Sequence, residues 1–299
     1  MKRVLVTGAR GFLGTHCLQA LADRGWNDVH AVSRSAFNGP GATWHVCDLF
    51  DPGAVAALVR SVKPTHAIHL AWCTTPSDYW TSRENLRWIT ASLSLIEEFA
   101  HAGGRRLVVV GSCAEYDWNR GRCSEATTPL EPASLYGTAK NALQLLVSRF
   151  APVLGISASW ARIFVPYGPY ENRDRLVAYV ARSLLAGMPA LCSSGEQQRD
   201  FLFAGDVANA LSVLLESEFV GPVNVGSGAS IAVKSVIGQI GKYIGRPDLI
   251  RLGSRPQAAD EPDLLAADVT RLRSELAWRP RIELAQGIAA SVEYWKQQG

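Results

Sequence analysis

The sequence predicts an α/β protein: a doubly wound parallel sheet with a smaller C-terminal domain. Three observations lead there. Apolar strand-like runs alternate with amphipathic helical stretches through residues 1–166. The runs are apolar throughout rather than alternating, which suits strands covered on both faces. The intervening helices, of ~10–20 residues, make right-handed crossovers between parallel strands.

Each element has its own local reason. Arg3 to Val6 is a short apolar, β-branched run ending in Thr-Gly, and reads as a buried strand. Phe12 to Arg24 is helical, with Leu13, Cys17, Leu18 and Leu21 on one face and Gly25 as a stop. Val29 to Val32 and Trp44 to Val46 are the next strands, separated by the turn-rich Asn38-Gly39-Pro40-Gly41. Asp51-Pro52 opens a helix with a cap and a first-turn proline. Thr65 to Leu70 is the fourth strand, Ser82 to His101 a long helix closed by Gly103-Gly104, and Leu107 to Val110 the fifth strand. Ser134 to Phe150 is a helix expected to halt at Pro152, and Ile156 to Phe164 the sixth strand. From residue 167 a smaller domain is expected, some of whose segments return to the main sheet. Its elements are a loop at Tyr167-Gly168-Pro169, helices over Arg175–Ala186, Asp206–Glu216, Val233–Ile244 and Leu284–Trp295, and a strand over Arg199–Phe203.

Composition narrows the class. The 299 residues are 47% hydrophobic and 19% charged, with a formal net charge of +3, which is ordinary for a globular chain. The basic residues form no stripe, which argues against nucleic acid. No apolar run reaches the ~20 residues that cross a bilayer, and the amino terminus turns polar and Gly-rich too soon for a signal peptide. Cysteines 17, 47, 73, 113, 123 and 192 form no Cys-x-x-Cys pair and no cluster with histidine. They read as reduced thiols of a cytoplasmic protein with no zinc site.

The sharpest motif follows the first strand. In Thr7-Gly8-Ala9-Arg10-Gly11-Phe12-Leu13-Gly14 the glycines permit a tight turn, approach to a pyrophosphate and close helix–strand packing. The helix start then offers free amides to the phosphates. At the end of the second strand, where an acidic residue would accept a ribose 2′-hydroxyl, the chain reads Ser33-Arg34-Ser35. Arg34, with Arg10, suits a 2′-phosphate, so NADP is the expected cofactor and NAD the alternative. Asp48-Leu49 is expected to touch the adenine.

Tyr136 and Lys140 stand four apart at a helix start and share a face. A free phenol has a pKa of about 10, and a neighbouring ammonium is expected to lower it into a useful range. Ser112 ends the fifth strand and offers a hydroxyl to a substrate oxygen.

With these marks, the chain resembles the extended short-chain dehydrogenases/reductases, the NAD-dependent epimerase/dehydratase group that acts on nucleotide sugars. Further marks are His69-Leu70-Ala71, Gly111-Ser112 with Tyr116, Arg162, Tyr167-Gly168-Pro169, Arg199-Asp200-Phe201, Asp206-Val207-Ala208, Asn224-Val225-Gly226 and Leu276-Ala277-Trp278-Arg279-Pro280. The resemblance implies a Rossmann-type domain over 1–166, a nucleotide-sugar domain over 167–299, and catalysis by Ser112, Tyr136 and Lys140. It implies cofactor contacts from Gly8, Arg10, Gly11, Phe12, Leu13, Ser33, Arg34, Asp48, Leu49, Leu70, Ala71, Trp72, Tyr136, Lys140 and Ile163. Substrate contacts are expected from Cys73, Ser112, Val165, Arg175, Arg199 and Arg255. For Arg199 the competing expectation is an ion pair with Asp200 or Glu196. Asn85 is placed in a helix flanking the site, and homodimers through that helix and the Tyr136 helix are implied. His16 and His69 read as structural.

One departure matters. Sugar-nucleotide dehydratases of this group carry an Asp-Glu pair just after the Ser/Thr, where this chain has Cys113-Ala114; Glu115 comes one position later and is expected to point elsewhere. The segment looks more like the branch that reduces 4-keto-6-deoxyhexoses. The expected function is NADPH-dependent reduction of a keto group on a nucleotide-activated deoxy sugar, with an NAD-dependent 4-epimerase as the alternative and a non-catalytic dinucleotide-binding regulator as a third.

Overall fold

The computed structural model describes residues 2–76, 78–257 and 261–298. Its centre is a seven-stranded sheet. β1 (Val4–Thr7) pairs with β2 (Val29–Ser33) on one side and β4 (His66–His69) on the other. β3 (Thr43–Val46) closes the β2 edge, and β5 (Arg106–Ser112) follows β4. Ser157–Ile163 and Gly221–Val225 complete the other edge, and every pair in the sheet is parallel. The order reverses at β1, so the loops after β1 and β4 diverge there and open a crevice at the strands' carboxyl ends.

The strand sequences explain the layers. Val4 and Val6 enter one core with Leu18 and Leu21 of α1 (Phe12–Asp23) and Leu211 and Leu214 of α6 (Ala204–Glu216). Leu5 enters the opposite core with Val55 of α2 (Pro52–Val62), Phe99 of α3 (Glu84–His101) and Leu143 of α4 (Leu135–Val153). Both faces are covered, as the unbroken apolar runs require. A third core joins α5 (Leu176–Leu185), α7 (Val233–Ile244) and α8 (Leu284–Gln298).

Two expectations are corrected. α4 runs through Pro152 to Val153 and turns at Gly155, because a proline in a final turn forgoes only one helical hydrogen bond. Arg199–Phe203 is not one strand. Gln198–Arg199 lies in a four-stranded mixed sheet, while Phe201–Phe203 pairs with Val165–Tyr167. The break is Asp200, whose buried carboxylate accepts the amides of Ser227, Gly228 and Ala267. Among the described residues no helix is long and apolar enough to cross a membrane.

Candidate active site

The glycine turn sits at the reversal point. Gly8 has φ +67°, and a Cβ there would lie 2.8 Å from the Ala71 amide nitrogen, so the loops after β1 and β4 touch through it. A Cβ on Gly14 would overlap the Gly8 carbonyl oxygen. Gly11 donates its amide to Gly8 O at 2.9 Å. No side chain caps α1, and its first turn carries no acid. Its amides and partial positive charge are therefore open to an anion, and a dinucleotide pyrophosphate fits this cradle.

Beside the turn, Arg10 Nη1 donates to Ser35 Oγ at 3.0 Å and its guanidinium stacks 4.9 Å from the Phe37 ring centre. Ser33 Oγ donates to Ser35 O at 2.6 Å, and Arg34 is exposed next to it. Arg10, Ser33, Arg34 and Ser35 thus share one edge. Asp48 engages its own turn, accepting the Phe50 amide at 3.0 Å, and Leu49 is buried in the core.

Ser112 ends β5 and begins a single helical turn, Cys113–Glu115: Ser112 Oγ accepts the Ala114 amide at 3.1 Å, and Glu115 accepts the Ser112 amide at 2.8 Å. Ser134 caps α4 by accepting the Gly137 amide at 3.1 Å, which puts Tyr136 in the first turn and Lys140 one turn on. The first turn of α4 seats on the turn that Ser112 begins, Gly137 lying against the Ala114 carbonyl oxygen, and the Ser112 hydroxyl draws the Tyr136 phenol down. Its ring is 7% exposed, walled by Tyr79 at 4.9 Å, Trp80 at 5.7 Å and Trp72 at 6.4 Å between ring centres.

The electrostatics differ from expectation. Burial pushes the Tyr136 phenol above its ordinary value; Ser112 pulls it down, while Tyr79, Cys113 and Glu115 push it further up. Lys140 directs its ammonium elsewhere, donating to Val110 O at 2.9 Å and lying 3.8 Å over the Trp72 ring. Burial takes this amine down to about 7, against the pull of Glu115. The predicted partners of Tyr136 are therefore reordered: the serine draws the phenol down, and the lysine packs against Trp72.

Glu115 points away from the crevice, onto Arg162 and Trp160. His69 is structural: Ser92 Oγ gives its proton to Trp88 O, so His69 Nε2 donates to Ser92 at 2.9 Å and Nδ1 accepts from Thr7 Oγ1 at 2.7 Å. His16 bonds Pro169 O at 3.0 Å. Asn85 holds the loop before α3, donating to Tyr79 O and Ser82 O and accepting the Trp72 indole N–H.

A cavity of about 410 Å³ gathers Val165, Arg199 and Arg255, together with Tyr179, Gln197 and Glu261. Arg199 pairs with Glu261 at 2.7 Å, not with Asp200 or Glu196; Asp200 holds backbone amides and Glu196 pairs with Lys234. Arg255 stacks on Tyr179 at 4.7 Å and donates to its hydroxyl. Arg175 lies beside the Tyr79 phenol. Ser112, Cys73 and Arg175 do not line this cavity. Sequence reading missed Tyr79, Trp80 and Tyr179. The run Trp72, Tyr79, Trp80 was the available signal for the first two.

A glycine-cradled crevice facing a Ser–Tyr–Lys set defines the short-chain dehydrogenase/reductase class in its extended form. The chain belongs to the NAD dependent epimerase/dehydratase family, whose sequence model matches residues 4–226. It is 26% identical to UDP-glucuronic acid decarboxylase 1 of Xenopus tropicalis, over 99% of this chain and 73% of that one. Among solved structures it resembles MoeE5 in complex with UDP-glucuronic acid and NAD, at 28% identity and TM-score 0.86 over 99% of this chain and 100% of the other. It also resembles the UDP-glucose 4-epimerase of Thermus thermophilus complexed with NAD, at 26% identity and TM-score 0.85 over 98% and 99% of the two chains.

Proposed function

We propose that the protein is an NADPH-dependent reductase of a keto group, at C4, on a nucleotide-activated deoxy sugar. The observation that carries this reading is the Ser112–Tyr136 pair on a turn with no carboxylate facing the crevice. Cys113 and Ala114 occupy the two positions after the serine, and Glu115 is committed to Arg162, Trp160 and the Ser112 amide. Elimination across two sugar carbons needs an acid and a base there; proton transfer to a single oxygen does not.

The dinucleotide, when bound, supplies hydride. Gly8, Gly11, Phe12 and Leu13 hold its pyrophosphate, and Leu70, Ala71, Trp72 and Ile163 border its remainder. Arg10, Ser33 and Arg34 meet the 2′-phosphate with charge-assisted hydrogen bonds. Tyr136 releases its proton to the sugar oxygen; burial keeps the phenol protonated until that step, and Ser112 eases the release. Ser112 donates to the same oxygen, so developing charge meets donors already in place. Lys140 orients the ribose. Val165, Arg175, Arg199 and Arg255 hold the nucleotide diphosphate, and Cys73 borders the sugar. In this reading 1–166 binds the dinucleotide and 167–299 the sugar nucleotide, and two cytoplasmic copies pair through the exposed Leu86, Leu145 and Leu146 of α3 and α4.

A second reading, an NAD-dependent 4-epimerase, is favoured by the similar structures, MoeE5 with UDP-glucuronic acid and NAD and a UDP-glucose 4-epimerase with NAD. One experiment separates the two. Purified protein is given 4-keto-6-deoxy sugar nucleotides with NADPH or NADH, and separately UDP-glucose without reductant. Oxidation of NADPH with reduction of the keto sugar supports the reductase. Co-purified NAD with turnover lacking reductant replaces it by the epimerase.

A further inference from the structure

A carboxylate with no part in the chemistry above lies directly beneath the reacting turn. Glu115 is wholly inaccessible to solvent. Its Oε1 accepts the Ser112 amide at 2.8 Å and the Trp160 indole N–H at 2.9 Å, and its Oε2 accepts Arg162 Nε at 2.6 Å. Arg162 in turn donates to the Tyr116 hydroxyl at 3.1 Å, which donates to Asn224 Oδ1 at 2.8 Å. Gly111 must lack a side chain because Trp160 Nε1 and Glu115 Oε1 fill the space a Cβ would take. The exit of β5 is thus gripped from below by one carboxylate whose oxygens are committed to three separate donors.

We infer that Glu115 is a positioning residue: it fixes the Ser112 backbone and so aims the Ser112 hydroxyl at the Tyr136 phenol. This rests on the proposed pairing of Ser112 with Tyr136. Ser112 Oγ already accepts the Ala114 amide, so before a substrate oxygen takes it, its own proton is the one left for the phenol oxygen. Without the grip on its amide, the turn is free to rotate and that proton loses its direction. The Glu115–Arg162 pair is buried on both sides, and replacing such a pair by apolar residues of similar size is often neutral for stability. The two charges leave together, so the field at Tyr136 changes little, and position is separated from folding and from charge.

The test places 3,5-difluorotyrosine, whose ring fluorines acidify the phenol, at position 136 of the full chain and titrates it by fluorine NMR. The titratable groups that face this phenol are Tyr79 and Cys113, with Glu115 behind and Lys140 one turn along. Ser112→Ala should raise the midpoint by about one pH unit, the worth of one hydrogen bond to the phenolate. Glu115→Leu with Arg162→Met should raise it equally, and adding Ser112→Ala to that pair should move it no further. Glu115→Gln keeps an oxygen for the Ser112 amide and removes the charge, so its midpoint should stay or fall. An unmoved midpoint in the paired variant, or a rise with Glu115→Gln, overturns the inference alone. An unmoved midpoint in Ser112→Ala overturns the Ser112–Tyr136 pairing itself, and the inference with it.

Discussion

The α-carbon of Gly137 lies against the Ala114 carbonyl oxygen so closely that an added Cβ would overlap it. This contact seats the first turn of α4 on the turn after β5 and so sets the separation of Tyr136 from Ser112. Gly137→Ala must push the two apart. Misplacement by about 1 Å costs on the order of a hundredfold in rate. The expected result is that loss in kcat with an unchanged far-ultraviolet dichroism spectrum.

The cofactor preference tests the arginine edge. Arg34→Ala and Arg10→Ala should each weaken NADPH binding by about tenfold or more, the worth of a charge-assisted hydrogen bond. NADH binding should barely change. Quenching of tryptophan fluorescence on titration with either dinucleotide measures both constants, and equal losses for the two would sink the assignment of a 2′-phosphate site.

Lys140 makes stability depend on alkaline pH. Its amine titrates at about 7 in the fold, against 10.5 for an ordinary lysine. Across that window the unfolded chain holds the extra proton, so folding gains stability as pH rises and loses it as pH falls. Lys140→Met removes this term. The Tm of the unmodified protein should climb relative to Lys140→Met between pH 7 and pH 10; parallel curves would refute the burial argument.

His69 does the same on the acid side. Burial lowers it from 6.5 to about 3, so stability is lost as pH drops below about 6.5, when the unfolded chain takes up a proton that the folded one refuses. At pH 5 the loss is about 2 kcal/mol. Urea unfolding of His69→Gln should show a flatter acid limb than the unmodified protein.

Breaking the buried pair on one side should be costly. Arg162→Met leaves the Glu115 carboxylate without its cation and should destabilise by about 3–5 kcal/mol. Adding Glu115→Leu should recover most of that. Denaturant midpoints for the two variants decide the matter.

The glycine turn, the sheet and the Tyr136–Lys140 spacing were legible because each is a short-range pattern: three glycines after an apolar strand, and two side chains one helical turn apart. What escaped was set by long-range contact. Nothing near Glu115 in sequence announces Arg162, 47 residues on. Nothing near Lys140 announces Trp72, which covers its ammonium in place of the tyrosine. The run Arg199–Phe203 has strand composition, yet Asp200 splits it because three distant amides converge on its carboxylate. A pattern read along the chain cannot see donors that arrive from another segment.

That split has a mechanical result. Arg199 faces the cavity while Asp200, across one peptide bond, anchors the backbone at Ser227, Gly228 and Ala267. The cationic arm therefore springs from a riveted base and, in the proposed capture of a nucleotide diphosphate, has little rearrangement left to undergo as the anion exchanges with Glu261. Preorganisation of this kind lowers the entropic cost of capture. It puts the burden of adaptation on Glu261, the partner that must yield.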